Sequence, residues 1–162
     1  MGPQWLRWLY AGLVQPILVK RAVAQDAERL TALVRASDAY RGKYASALVD
    51  YRVTADYIEL HRVFVAVDRN GHDLLGVYGL VLDPPELDLL FVENGAQRRG
   101  VGRRLVEHMI GQARGAGLES VRVVSHPDAE PFYRRMGARR LGTIPPKPPK
   151  VTWERPELQF TV

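Results

Sequence analysis

The sequence predicts a fold of the α/β (α+β) class, in which a mixed, mostly antiparallel central sheet of six or seven strands is flanked by about four helices. Strand-forming segments follow one another closely between residues 63 and 92, which indicates antiparallel hairpins. A strand, an amphipathic helix and a second strand then occupy residues 86–125, which indicates a crossover connection. With 46% hydrophobic and 25% charged residues, the composition is that of an ordinary globular protein.

The first elements are a strand and two helices. Ile17–Ala22 reads as a strand, and apolar residues recur at helical spacing from Gln25 to Ser37. Tyr40–Val53 predicts a loop with a short helix, and Thr54 is expected to cap a helix that runs to about His61.

A three-stranded meander is predicted next. Val63–Val67 is rich in β-branched and aromatic residues, and Asn70-Gly71 is a strong hairpin turn. The strands that follow are Leu74–Leu82, whose glycines mark bulges, and Glu86–Val92.

The last third of the chain alternates between helix and strand. A helix begins near Val101, since its apolar residues recur on one face as far as Ala113. The remaining elements are strand Ser120–Ser125, helix Asp128–Met136, strand Arg139–Ile144, loop Pro145–Pro149 and a final strand Leu158–Val162.

Length and composition limit what the chain can be. At 162 residues it fits one domain, here residues 16–162, with residues 1–15 as an N-terminal extension. The absence of cysteine excludes disulfides and thiolate metal sites and is compatible with a cytoplasmic location. The apolar stretch Trp8–Val14 is too short to span a bilayer, so no membrane partner is expected. The net charge of +5 suits an anionic partner without selecting one.

The strongest chemical signal lies between a predicted buried strand and a helix, at Gln97–Arg104. A helix start presents unpaired N–H groups and partial positive charge, and glycines 100 and 102 let an oxygen-rich ligand approach the backbone. The loop's arginines add donors suited to phosphate. A nucleotide-binding P-loop is excluded because Val101-Gly102 stands where Lys-Ser/Thr is required, and Leu105 breaks the dinucleotide fingerprint.

A second motif, Ala129–Ala138, follows the strand at Ser120–Ser125. Together the two segments resemble the GCN5-related N-acetyltransferase (GNAT) superfamily, whose loop Q/R-x-x-G-x-G/A grips the pyrophosphate of acetyl-CoA. The resemblance implies the GNAT fold, acetyl-CoA as cosubstrate and a primary amine of a small molecule or protein as acceptor, attacked directly in a ternary complex. It implies that the cofactor contacts are Leu90, Phe91, Val92, Gln97, Arg98, Arg99, Gly100, Val101, Gly102 and Arg103.

Two catalytic residues are expected. In the resembled family the tyrosine of the second motif, here Tyr133, points toward the cofactor sulfur, so it is the candidate general acid for the departing thiolate. Glu86 is the first candidate for the base, ahead of Asp88, because it stands where histone-modifying relatives carry their glutamate. His126 occupies a position where the family often has asparagine and is interpreted as a structural residue.

Other readings remain open or are excluded. A catalytically silent acyl-CoA sensor on the same fold is the main alternative, and a homodimer is compatible with the sequence. A nucleic acid partner is disfavoured because prolines interrupt the basic C-terminal region and no aromatic RNA-binding motif occurs. The histidines show no ligand spacing, so no metal is expected. The acceptor would be shaped by Tyr40–His61 and Lys147–Glu154.

Overall fold

The computed structural model describes residues 16–162, and the proposed extension at residues 1–15 lies outside this range. The described residues form seven strands in one sheet and four α-helices. The strands are β1 (Leu18–Arg21), β2 (Arg62–Val67), β3 (Leu74–Leu82), β4 (Pro85–Val92), β5 (Ser120–Val124), β6 (Arg139–Ile144) and β7 (Arg155–Thr161). The helices are α1 (Ala27–Arg35), α2 (Ala55–Leu60), α3 (Val101–Gly115) and α4 (Glu130–Arg135).

The sheet is mixed and mostly antiparallel, as predicted. Its strand order is β1-β2-β3-β4-β5-β7-β6, and β4 and β5 form the parallel pair. These two strands are in register at a single residue pair, Glu86 with Arg122, and then separate. The separation leaves backbone groups of β4 unpaired along one side and opens a gap in the middle of the sheet.

A β-bulge in β4 decides which way its side chains point. Gly79 pairs with Leu89 whereas Leu80 pairs with Leu87, so Asp88 is the extra residue. A bulge of this kind interrupts the alternation of faces. Leu87 therefore packs into the core on one side of the sheet and Leu89 into the core on the other.

Each face of the sheet has its own apolar core. On one face α3 contributes fully buried residues such as Leu105 and Met109. On the other face Leu30 of α1 and Ile58 of α2 are buried against the strands. Burial of one such side chain stabilises the fold by about 1.5–3 kcal/mol.

The region Tyr40–Val53 is a loop with a short helix, as predicted, and this helix is the 3₁₀ helix Gly42–Leu48. One strand differs from the sequence prediction. Strand β7 begins at Arg155, earlier than the predicted Leu158, and includes Pro156. Proline removes only its own donor, and the Pro156 carbonyl still accepts a hydrogen bond from the Ser125 N–H at 2.9 Å.

Candidate active site

The start of α3 is built around a left-handed glycine. Gly100 is the N-cap residue with φ +78°, and its carbonyl accepts the first helical bond from Arg104 at 3.0 Å. Arg98, two residues earlier, also has a positive φ of 65°. The backbone N–H groups of Val101, Gly102 and Arg103 are therefore the free donors of the first turn, as at any helix start.

The side chains of Asn94 and Gln97 hold the first part of the loop before α3. The Gln97 side chain donates to the Val92 carbonyl at 3.0 Å. Asn94 donates to the Ala36 carbonyl at 2.7 Å and accepts from the Asp38 N–H at 3.0 Å, which joins this loop to the segment after α1. These bonds hold the loop in place before any ligand binds.

The glycines of the loop serve different purposes. No atom lies within 4 Å of the Cβ position at Gly100, so its positive φ is what favours glycine there. At Gly102 a Cβ would lie 3.2 Å from the Phe132 ring of α4. Glycine at position 102 thus favours the close approach of α3 to α4.

A cavity of about 720 Å³ extends from the start of α3 along the gap between β4 and β5 to α4. Ligand pockets of about 300–1,000 Å³ are typical of proteins. Arg99 and Glu86 do not line the cavity, although their neighbours do. The sequence-predicted residues that line it are Leu90, Phe91, Val92, Gln97, Arg98, Gly100, Val101, Gly102, Arg103 and Tyr133.

Tyr133 lies in α4 with 7% of its surface exposed, against Phe132 and Phe160. Its hydroxyl makes no hydrogen bond within residues 16–162. Burial, with a smaller contribution from Tyr40, raises the pKa of Tyr133 well above its ordinary value. The phenol therefore stays protonated at neutral pH and can donate a hydrogen bond into the cavity.

The two candidate bases have different surroundings. Glu86 lies 3.6 Å from the Arg122 guanidinium, which also bonds Glu157 at 2.7 Å. Burial raises the pKa of Glu86, while Arg122 lowers it and Asp88 raises it further. Asp88, the bulge residue, lines the cavity and accepts a 2.7 Å hydrogen bond from the Tyr57 hydroxyl.

The partner of Asp88 is a residue that the sequence did not single out. A Cβ at Gly79 would overlap the Tyr57 hydroxyl, so the bare backbone of β3 makes the space through which Tyr57 reaches Asp88. Tyr51 lies nearby, and burial followed by the Asp88 charge raises its pKa to about 12. The only feature of the sequence that could have indicated Tyr57 as a site residue was the concentration of tyrosines between residues 40 and 57.

The two segments expected to shape the acceptor site contact each other. Ser46 donates a hydrogen bond to the Lys150 carbonyl at 2.7 Å, and the rings of Tyr44 and Trp153 meet edge-to-face at 4.8 Å. Tyr40 lines the cavity, and its ring meets that of His126 edge-to-face at 4.9 Å.

No group of three or more His, Asp or Glu side chains within residues 16–162 could hold a metal ion. No helix in that range has the length and apolar character needed to cross a membrane.

A model of the acetyltransferase (GNAT) domain matches residues 35–144 of the 162-residue chain. The chain belongs to the GNAT acetyltransferase family. The match covers the loop after β4 and the α4 motif, so the resemblance seen in the sequence is confirmed.

Solved structures of GNAT proteins share the fold. A GCN5-related N-acetyltransferase from Rhodopseudomonas palustris is 18% identical, with a TM-score of 0.73 over 92% of this chain and 96% of that one. An acetyltransferase from Bacillus subtilis, solved in complex with CoA, is 18% identical, with a TM-score of 0.64 over 91% and 99%. A GCN5-related N-acetyltransferase from Kribbella flavida is 21% identical, with a TM-score of 0.64 over 90% and 98%. No curated protein matches the chain significantly in sequence.

Proposed function

We propose that this GNAT protein is an N-acetyltransferase that moves the acetyl group of acetyl-CoA to a primary amine by direct attack in a ternary complex. The observation that carries the proposal is the continuous cavity from the α3 start, through the gap between β4 and β5, to Tyr133. The Bacillus subtilis protein of the same fold was solved with CoA, which supports the choice of cosubstrate. The cytoplasm, a reducing compartment, suits a chain without cysteine.

The loop Gln97–Arg103 would hold the pyrophosphate. The backbone N–H groups of Val101, Gly102 and Arg103 would donate to phosphate oxygens, since a helix start favours negative charge. Arg98 and Arg103, which line the cavity, and Arg99 at its exposed rim would add charge. Leu90, Phe91 and Val92 would supply unpaired backbone groups of β4 to the pantetheine arm and to the oxyanion of the tetrahedral intermediate.

The acceptor must lose a proton before it attacks, because a lysine-like amine has a pKa of about 10.4. We assign this step to the Glu86–Asp88 pair: Asp88 can take the proton directly at the cavity wall, or Glu86 through water. The attack forms the C–N bond, the nitrogen of the tetrahedral intermediate then loses its second proton to solvent, and collapse of the intermediate breaks the C–S bond. Tyr133 donates its hydroxyl proton, or a hydrogen bond, to the departing thiolate, and a phenolate formed in this way regains its proton from solvent.

Two measurements test the proposal. Calorimetry should detect binding of CoA, with loss of affinity when the ligand lacks its pyrophosphate arm. A screen of primary amines should detect acetyl-CoA-dependent release of free thiol. Equal affinity for both ligands would remove the loop from the cofactor site, whereas CoA binding without turnover on any amine would favour the silent acyl-CoA sensor.

A further inference from the structure

Two buried side-chain atoms within residues 16–162 lack a hydrogen-bond partner, and they are His126 Nε2 and Arg155 Nε. His126 Nδ1 accepts the Asp128 N–H at 3.0 Å, so in the neutral ring Nε2 carries the proton. An arginine Nε is always a donor. Both atoms are therefore N–H donors, and a buried donor without an acceptor lowers stability unless a ligand or a water molecule supplies one.

The pairing of β5 with β7 places the two residues opposite each other just beyond the end of β5. Val124 of β5 pairs with Glu157 of β7, and the Ser125 N–H donates to the Pro156 carbonyl at 2.9 Å. The next opposed residues in this antiparallel register are His126 and Arg155. Residues opposite each other share a face of the sheet, so both side chains lie on the same face.

This face is the one opposite α3. Val123 and Leu158 point into the core beneath α3, and the alternation of side chains puts His126 and Arg155 on the other side. The side chain of His126 is 5% exposed and lines the cavity beside Tyr40. His126 therefore borders the cavity away from the helix start proposed for the pyrophosphate. Arg155 lies beside this part of the cavity, close enough to Tyr40 for its charge to oppose the burial that raises the pKa of Tyr40.

The charges nearby favour a ligand with one negative charge. Arg155 forms no ion pair among the described residues, and its Nη2 donates only to the Pro145 carbonyl at 3.3 Å. Glu157, two residues along β7, is already engaged by Arg122 at 2.7 Å. The Asp128 carboxylate is 77% exposed and 4.0 Å from His126 Nδ1. One guanidinium charge together with the Nε2 donor of His126 matches a carboxylate, whereas a phosphate dianion would bring more negative charge into a buried place than Arg155 balances.

We propose that His126 and Arg155 form a carboxylate-binding subsite, and that the acceptor is an amine that also carries a carboxylate. Asp88, across the gap on β4, would face the amino group while the two donors hold the carboxylate. The inference rests on the proposed N-acetyltransferase function. A carboxylate on the acyl group of the cosubstrate is the other source of the same chemistry.

Matched acceptors test the subsite in the wild-type protein. Thiol release from acetyl-CoA is measured with amino acids and with the amines that lack only the carboxylate, such as phenylalanine against phenethylamine and lysine against cadaverine. We expect kcat/KM to favour the carboxylate-bearing member of a pair by about tenfold or more, the effect of one charge-assisted hydrogen bond. Equal or better use of the decarboxylated amines would overturn the proposal.

Substitutions distinguish a loss of carboxylate recognition from a general loss of activity. Arg155→Met should raise KM for the amino acid about tenfold or more and leave KM for acetyl-CoA unchanged. Arg155→Lys should recover part of the loss, and His126→Gln, which keeps a donor, should be milder than His126→Phe. Arg139→Met, at an exposed arginine of β6, is the matched control and should leave every constant unchanged. If a variant loses kcat/KM equally for the amino acid and for its decarboxylated amine, the substituted residue has a merely structural role.

A further experiment shows whether the carboxylate belongs to the acceptor or to the acyl group of the cosubstrate. Succinyl-CoA and acetyl-CoA are compared as acyl donors, and we expect no preference for succinyl-CoA that depends on Arg155. Such a preference would overturn the acceptor assignment. Calorimetry with CoA alone distinguishes failure of the proposed function from failure of this inference. If CoA does not bind, the proposed function is wrong. If CoA binds but the protein does not discriminate between the members of an acceptor pair, only the carboxylate subsite is wrong.

Discussion

Burial gives Tyr133 the protonation state that its proposed catalytic role requires. Its phenol is surrounded by apolar residues, and burial raises its pKa, so the neutral hydroxyl persists well into the alkaline range. A thiolate leaving group has a pKa of about 8.5, so a hydrogen bond to it assists the reaction without being indispensable. The phenol would act mainly as a donor that is always in the correct protonation state.

Tyr133→Phe removes only the hydroxyl and keeps the packing of the ring. We expect the affinity for acetyl-CoA to change little and the single-turnover rate to fall on the order of 10²-fold, the low end for general acid catalysis. Single-turnover kinetics are the appropriate measurement, because slow product release would hide the effect in the steady state. A wild-type rate for this variant would make Tyr133 a packing residue.

The carboxylates of β4 can be separated by matched amide substitutions. Since Asp88 lines the cavity and Glu86 does not, we expect Asp88→Asn to lower kcat/KM at pH 7 by about 10²-fold and Glu86→Gln by less. The loss should shrink as pH rises, because the amine then deprotonates unaided. A pH–rate profile of both variants decides the assignment: the larger loss in Glu86→Gln would give the role to Glu86. If Glu86 is the base, its raised pKa should also move the acidic limb of the wild-type profile above the ordinary glutamate range.

At the scale of elements, the site depends on how α3 begins. Gly100 takes a left-handed conformation that turns the chain from β4 into the helix, and Gly102 lets α4 pack close beside it. The loop is held by Asn94 and Gln97 rather than by a ligand. The free N–H groups of the proposed pyrophosphate site are thus positioned without a ligand.

Gly100→Val should abolish detectable CoA binding by calorimetry and lower the free energy of unfolding by about 1–2 kcal/mol, because a β-branched residue resists a φ of +78°. Gly111→Ala is the control in the same helix. Gly111 has an ordinary φ and no atom within 4 Å of its Cβ position, so alanine there should raise stability by up to about 1 kcal/mol and leave CoA binding unchanged. Unaltered CoA binding in Gly100→Val would show that the helix start does not hold the ligand.

At the scale of the whole molecule, the gap between β4 and β5 joins the two faces of the sheet. The proposed pyrophosphate site belongs to the face of α3, and the tyrosines of the acceptor side belong to the face of α1 and α2. The cosubstrate and the acceptor would therefore approach from opposite faces and meet at the gap. We propose that residues 16–162 form one domain, because both cores share this single sheet.

The chain without residues 1–15 should unfold in one cooperative transition and still bind CoA. At a free concentration of 100 times Kd, CoA should raise the free energy of unfolding by about 2.7 kcal/mol, since it binds only the folded state. Urea unfolding with and without CoA measures both properties. Two separate transitions, or loss of CoA binding on truncation, would contradict the single-domain proposal.

The sequence determined the elements and the helix start, because the signals for them are local. Apolar periodicity, the Asn70-Gly71 turn and the glycines after β4 act over a few residues and gave the order of strands and helices. The family could therefore also be recognised from the sequence, since each of its two motifs is a continuous segment of the chain. It could not give the insertion of β7 between β5 and β6, which depends on pairing at long range.

Only the tertiary structure decided which side chains share the cavity. Asp88 faces it because of a bulge set by the register of β4 on β3, and Tyr57 reaches Asp88 through the space left at Gly79. His126 and Arg155 are 29 positions apart in the sequence and become neighbours through the pairing of β5 with β7. The physical reason is that register and bulges are fixed by the packing of the whole sheet, and a one-residue change in either turns a side chain to the other face.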